Sequence, residues 1–121
     1  MTSRIALVLV AVAAGLSLSG CAVLVPAAGD VLSQQKDAAN DAAVQVEFAN
    51  AWIAAETFAV DNSGVYPTSL TELDKYGYVP TEGVTDLRLV AIPGGICFDA
   101  LSASGTRFNM HSGASVVEGT C

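Results

Sequence analysis

Positive charge is what this chain has least of. Lysine and arginine number 5 against 12 aspartates and glutamates, with one histidine and a formal net charge of −7. A body this acidic argues against nucleic acid, and against an anionic membrane surface, as the direct binding partner. A Gly-rich phosphate loop is missing too: Gly94-Gly95 has neither the spacing nor a following Lys-Ser/Thr. No serine sits in a nucleophile-elbow sequence, so a Ser-His-acid hydrolase has only His111 and Asp99 to draw on. A metal site through His111 with Asp99 or Glu118 lacks a third ligand at suggestive spacing. The residues therefore give no catalytic group, no metal and no cofactor to expect, and the chain reads as a non-enzyme. After Val25 no apolar run is long enough to cross a bilayer, and neither a repeat nor a long linker divides the chain.

What is present begins at the N-terminus. Arg4 precedes an apolar stretch from Ile5 to Leu16, followed by Leu18-Ser19-Gly20-Cys21. A charged start, an apolar middle and small residues at a cleavage point make a secretory signal peptide. The same segment, taken from Ile5 to Val25, is also long enough for an uncleaved transmembrane anchor. A leucine, two small residues and a cysteine resemble the lipobox of bacterial lipoproteins. That resemblance implies that residues 1–20 are removed and that Cys21 carries a diacylglyceryl group on its sulfur. Cys21 is then the first residue of the mature chain, residues 21–29 are a short tether, and the protein is extracytoplasmic and lipid-anchored. Removal of Arg4 takes the charge of −7 to −8. About 100 residues remain, enough for one compact domain and not two.

Three cysteines are an awkward number in an oxidising compartment, but lipid on Cys21 leaves the pair Cys97 and Cys121. A disulfide between them closes a loop worth about 3.5 kcal/mol on the chain-entropy account and holds a C-terminal tail that otherwise frays. Two free thiols, or half of a metal site, are the competing reading.

From residue 30 to 61 the chain reads as one helix, rich in alanine and uninterrupted by glycine or proline. At 100° per residue Val31, Ala38, Ala42, Val46, Ala49, Ile53 and Val60 form one apolar stripe, with Trp52 at its margin. This stripe is expected to face the core through its bulkier downstream half, the upstream half projecting as a stalk. Gln34, Lys36, Asp37, Asp41, Glu47 and Asn50 are expected in water. Glu56 falls within the stripe and reads as a helix-end residue reaching solvent or a backbone donor.

Asp61-Asn62-Ser63-Gly64 suits a helix end, and residues 62–83 form a loop. Within it Ser69-Leu70-Thr71-Glu72 has capping-box spacing, carrying Leu70 and Leu73 inward. Tyr66, Tyr76 and Tyr78 offer a candidate recognition surface for sugar or protein; the competing reading packs them over the sheet edge. Residues 84–121 alternate as strands, with turns at Pro93-Gly94-Gly95, Ser102-Ala103-Ser104-Gly105 and Ser112-Gly113-Ala114. Residues 30–121 thus form an α+β domain, one long helix packed on three or four antiparallel strands.

This order of parts resembles the type IV pilins and the pseudopilins of type II secretion. The likeness runs from Pro26 to Cys121. Gln34-Gln35-Lys36-Asp37-Ala38-Ala39 is similar to the middle of the pilin helix. Phe58-Ala59-Val60-Asp61-Asn62 and Tyr66-Pro67-Thr68-Ser69-Leu70 are similar to its end and the following loop, continued by Leu73, Tyr76, Gly77 and Tyr78. Cys97, and Gly119-Thr120-Cys121 at the terminus, resemble the disulfide-bounded C-terminal region. The resemblance implies a long helix on an antiparallel sheet and a subunit of fibres or pseudopili, with pilus or secretion-system proteins as partners. The chain departs from that pattern upstream. Pilin precursors carry a glycine cleavage site, then Phe or Met, then a glutamate in the greasy segment; Ile5 to Gly20 has no acidic residue and ends in the lipobox-like run. The two resemblances together imply a pilin-like head held by lipid, acting as a structural or partner-binding subunit. The alternative is a small lipoprotein module binding a glycan, peptide or cell-wall ligand near the tyrosines or after Pro80.

Overall fold

The computed structural model describes residues 28–121. Cys21, the residue 1–20 signal peptide and most of the 21–29 tether lie outside the described residues.

One helix, α1 (Ala28–Asp61), is followed by two single 3-10 turns at Leu70–Glu72 and Asp74–Tyr76. Four strands complete the chain: β1 (Val84–Ile92), β2 (Gly95–Ser102), β3 (Arg107–His111) and β4 (Val117–Glu118). They form a single antiparallel meander in the order β1-β2-β3-β4. The expected class, an α+β fold with a long helix on an antiparallel sheet, is the one observed.

Helix α1 spans 34 residues, about 51 Å at the usual rise. It stops where Asn62 donates to the Phe58 carbonyl and Gly64, at φ +84°, donates to the Ala59 carbonyl at 2.7 Å. Ser63, itself left-handed at φ +59°, turns the chain so that the Gly64 N–H satisfies a carbonyl that the helix leaves open. The Ser69 capping box forms: its hydroxyl accepts from Thr71 N–H, and Glu72 Oε2 accepts from Ser69 N–H at 2.9 Å. Leu73 is buried and Leu70 half-buried.

Which face of α1 meets the sheet corrects the sequence expectation. The buried side chains are Val44, Glu47, Phe48, Ala51, Ala54, Ala55 and Ala59. Val31, Ala38, Ala42, Val46, Ala49, Ile53 and Val60 are all exposed, and their stripe lies roughly opposite the buried one round the helix. The helix has two apolar faces, and periodicity does not rank them. Alanines on the sheet side let the helix backbone approach closely, while Phe48 and Val44 fill the remaining space beside Ile96, Phe98, Ala100 and Met110. The upstream helix, residues 29–39, is exposed all round.

The sheet's two faces have different covers. Ile96, Phe98, Ala100, Phe108 and Met110 point toward α1. On the other face the tail after β4 folds back: Gly119 N–H reaches the Arg107 carbonyl at 2.9 Å, and Cys121 is disulfide-bonded to Cys97 on β2. Cys97, Asp99 and Asn109 are buried on this face. Asp99 accepts from the Arg107 guanidinium and from Cys121 N–H at 3.4 Å.

Candidate interaction surface

Each of the three tyrosines singled out from the sequence is set against the downstream half of α1. Tyr66 is half-buried and stacks on Trp52, with ring centroids 5.7 Å apart. Its hydroxyl donates to Glu56 Oε1 at 2.6 Å, and that hydrogen bond, with a smaller part from burial, raises its pKa above the ordinary tyrosine value. Tyr76 is half-buried and meets Phe58 edge-on at 5.5 Å. Tyr78 is buried, and its hydroxyl donates to Glu47. Burial first, then this bond, pushes the Tyr78 hydroxyl well above its ordinary value. The rings therefore lie along the helix and join the 62–83 loop to α1. Tyr66 and Tyr76 keep part of their surface in water; Tyr78 faces inward.

Glu47 corrects a second expectation. It is 1% exposed, not solvated, because the loop brings donors to it. Tyr78 O–H and the Thr81 backbone N–H, at 2.6 Å, supply both carboxyl oxygens with partners. A buried carboxyl is tolerated when its oxygens are so bonded. No local signal reveals this, since the donors lie more than thirty positions away in the chain. Asp41, also expected in water, is half-buried and accepts from the hydroxyls of Ser102 and Ser104, at 2.7 and 2.5 Å, tying the β2–β3 turn to the helix. Glu56 is exposed, as expected.

The pleat separates Glu118 from the other groups weighed for chemistry. His111 pairs with Cys97 and shares the outer face with Asp99, whose carboxylate is engaged by Arg107 and the tail. Glu118 pairs with Phe108, which puts it on the opposite face from His111. Among the described residues no group of three or more His, Cys, Asp or Glu is placed to hold a metal, and no pocket opens.

Sequence reasoning also missed a bulge. The β1–β2 register shifts between Thr85 and Arg88, with Asp86 at φ +50°. There the Asp86 carboxylate receives Arg88 Nη2 at 2.6 Å and the Arg107 guanidinium. These hydrogen bonds, from Arg88 and then Arg107, hold its carboxyl below the usual carboxylate range. Bulges re-aim side chains in this way.

Among the described residues no helix is long and apolar enough to cross a membrane. Along α1 the larger apolar side chains Val31, Leu32, Val46, Ile53 and Val60 are exposed among the described residues. No protein-family model, curated protein or solved structure matches this chain.

Proposed function

We propose that this protein is a non-enzymatic, lipid-anchored subunit on the outer side of the cell membrane, pilin-like in its organisation, which binds protein partners. The observation that carries the reading is α1. Its downstream half is fixed to the sheet, while residues 29–39 are exposed all round among the described residues, and the lipobox-like Leu18-Ser19-Gly20-Cys21 precedes them in sequence. A helix of this length, covered by its own domain on one side of one half only, suits a partner-binding element better than a ligand pocket. Lipid on Cys21 gives the anchor that a small acidic head does not itself supply; two acyl chains suffice for stable attachment. The Cys97–Cys121 disulfide, the means by which small exported domains reinforce a limited core, agrees with an oxidising compartment. Pilus or secretion-system proteins are the partners that the resemblance names. The alternative, a module for a glycan, peptide or cell-wall ligand, draws on the half-exposed Tyr66 and Tyr76.

The test is fractionation of cells producing the wild type and Cys21→Ser, combined with in-cell crosslinking. Wild type in the membrane fraction, Cys21→Ser released or unprocessed, and crosslinks to pilus or secretion components support the proposal. A thermal shift with glycans or muropeptides, without such crosslinks, favours the binding module.

A further inference from the structure

The exposed face of α1 has heptad order. Leu32, Ala39, Val46, Ile53 and Val60 recur every seven residues, with Gln35, Ala42, Ala49 and Glu56 between them. This is the spacing of a two-helix seam, in which both sets of positions meet the partner. The larger side chains are left in water: Val46 is 53% exposed, Ile53 64%, Leu32 66% and Val60 79%. Val44, Phe48, Ala51 and Ala55, on the other side, are already buried against the sheet. The open face is therefore a second, separate packing surface.

We infer that this face pairs with the same face of a second copy of the chain, and that the two helices run antiparallel. Shape and charge both select that arrangement. In parallel register the seam alternates between Ala42 on Ala42, Ala49 on Ala49 and the much wider Val46 on Val46 and Ile53 on Ile53. It also sets Glu56 directly against Glu56. In antiparallel register Ala42 of one copy meets Ile53 of the other, and Val46 meets Ala49. The central layers, Ala42 with Ile53 and Val46 with Ala49, then each hold one small and one branched side chain, so the spacing between helices stays even there. Ala39 meets Glu56, and Lys36 lies about one turn away from that glutamate. Lys36 is the only lysine or arginine of α1, and Glu56 the only acidic residue on the seam positions. The pairing brings the two together at each end instead of opposing like charges. It also lays the exposed residues 29–39 of each helix along the downstream half of the other, and it separates the two acidic heads.

This takes up the partner-binding face of the proposal above but does not depend on lipid at Cys21, so the two are read by different measurements. Full-length Ala42→Cys and Ile53→Cys variants are oxidised separately and as a mixture, and linked peptides are mapped by mass spectrometry. Links between position 42 and position 53 in the mixture, with no 42–42 or 53–53 links, are expected. Like-with-like links overturn the antiparallel pairing. Sedimentation of the full chain in mild detergent gives the second readout. Ile53→Lys, at an exposed position, is expected to match the dissociated wild type in melting temperature at high dilution and to weaken self-association about tenfold or more. Unchanged self-association in Ile53→Lys, or a wild type that stays monomeric, overturns the inference. So does a monomer that binds phosphatidylglycerol vesicles and loses that binding in Ile53→Lys, which assigns the face to lipid.

Discussion

Glu47 is the residue on which the loop's attachment to α1 turns. Its carboxyl is the shared acceptor for Tyr78 O–H and Thr81 N–H. Glu47→Ala leaves two buried or half-buried donors without a partner, and each such loss costs about 1–3 kcal/mol. The variant is expected to lose about 2–4 kcal/mol in urea unfolding, whereas Glu56→Ala, at an exposed hydrogen bond, changes stability by less than about 1 kcal/mol. Equal losses at the two sites contradict the distinction. Tyr78 also predicts a pH dependence. Its folded-state pKa is raised, by burial first, while the unfolded tyrosine ionises near pH ~10. Its contribution is complete below that value and is lost as pH rises toward the folded pKa, because the unfolded chain binds fewer protons there. Tyr66 adds to the same slope through its bond to Glu56. Tyr78→Phe should therefore be less stable near neutrality and show a shallower decline above about pH 10, read from urea midpoints. Gly113 supplies a third test. It adopts φ +73°, and a Cβ there would sit 2.8 Å from the Trp52 ring. Backbone strain and overlap together make Gly113→Ala about 2–3 kcal/mol less stable, with altered Trp52 fluorescence.

Among elements, helix α1 and the C-terminal strands behave differently under sequence reading. The uninterrupted alanine-rich run made the helix legible almost to its ends, and Pro93-Gly94 and Ser102–Gly105 marked the hairpins. The orientation of α1 was not legible, because Val46, Ile53 and Val60 are as apolar as Val44 and Phe48. What decides between the faces is the sheet's demand for closely packed alanines and the donors that Tyr78 and Thr81 bring to Glu47, all set by distant parts of the chain. The Asp86 bulge was hidden for a similar reason, since its reward is a pairing with Arg107 two strands away in sequence. The tyrosines were found as a group, but their partners on the helix were not. The tail was legible through cysteine count and placement. Its disulfide joins residues 24 apart and closes the outer face over Asp99. Replacing Cys97 and Cys121 by alanine is expected to cost about 3.5 kcal/mol and to speed amide exchange in β4 and at the tail before α1 is affected. Unchanged exchange in β4 contradicts the tail's role as a strap.

At the scale of the whole molecule, the domain has a short core for a long helix. Among the described residues, the sheet and loop cover the downstream part of one face of α1 and leave the opposite face exposed. That division gives the protein its proposed character: a braced head, an extended apolar contact face, and a lipid holding both near the membrane. The anchor at Cys21 carries that proposal. The most direct measurement is the intact mass and N-terminal peptide mass of the protein purified from its own membranes. The account predicts a chain that begins at Cys21 and bears the added mass of a diacylglyceryl group. A chain that retains Met1, or that begins at an unmodified Cys21, contradicts it.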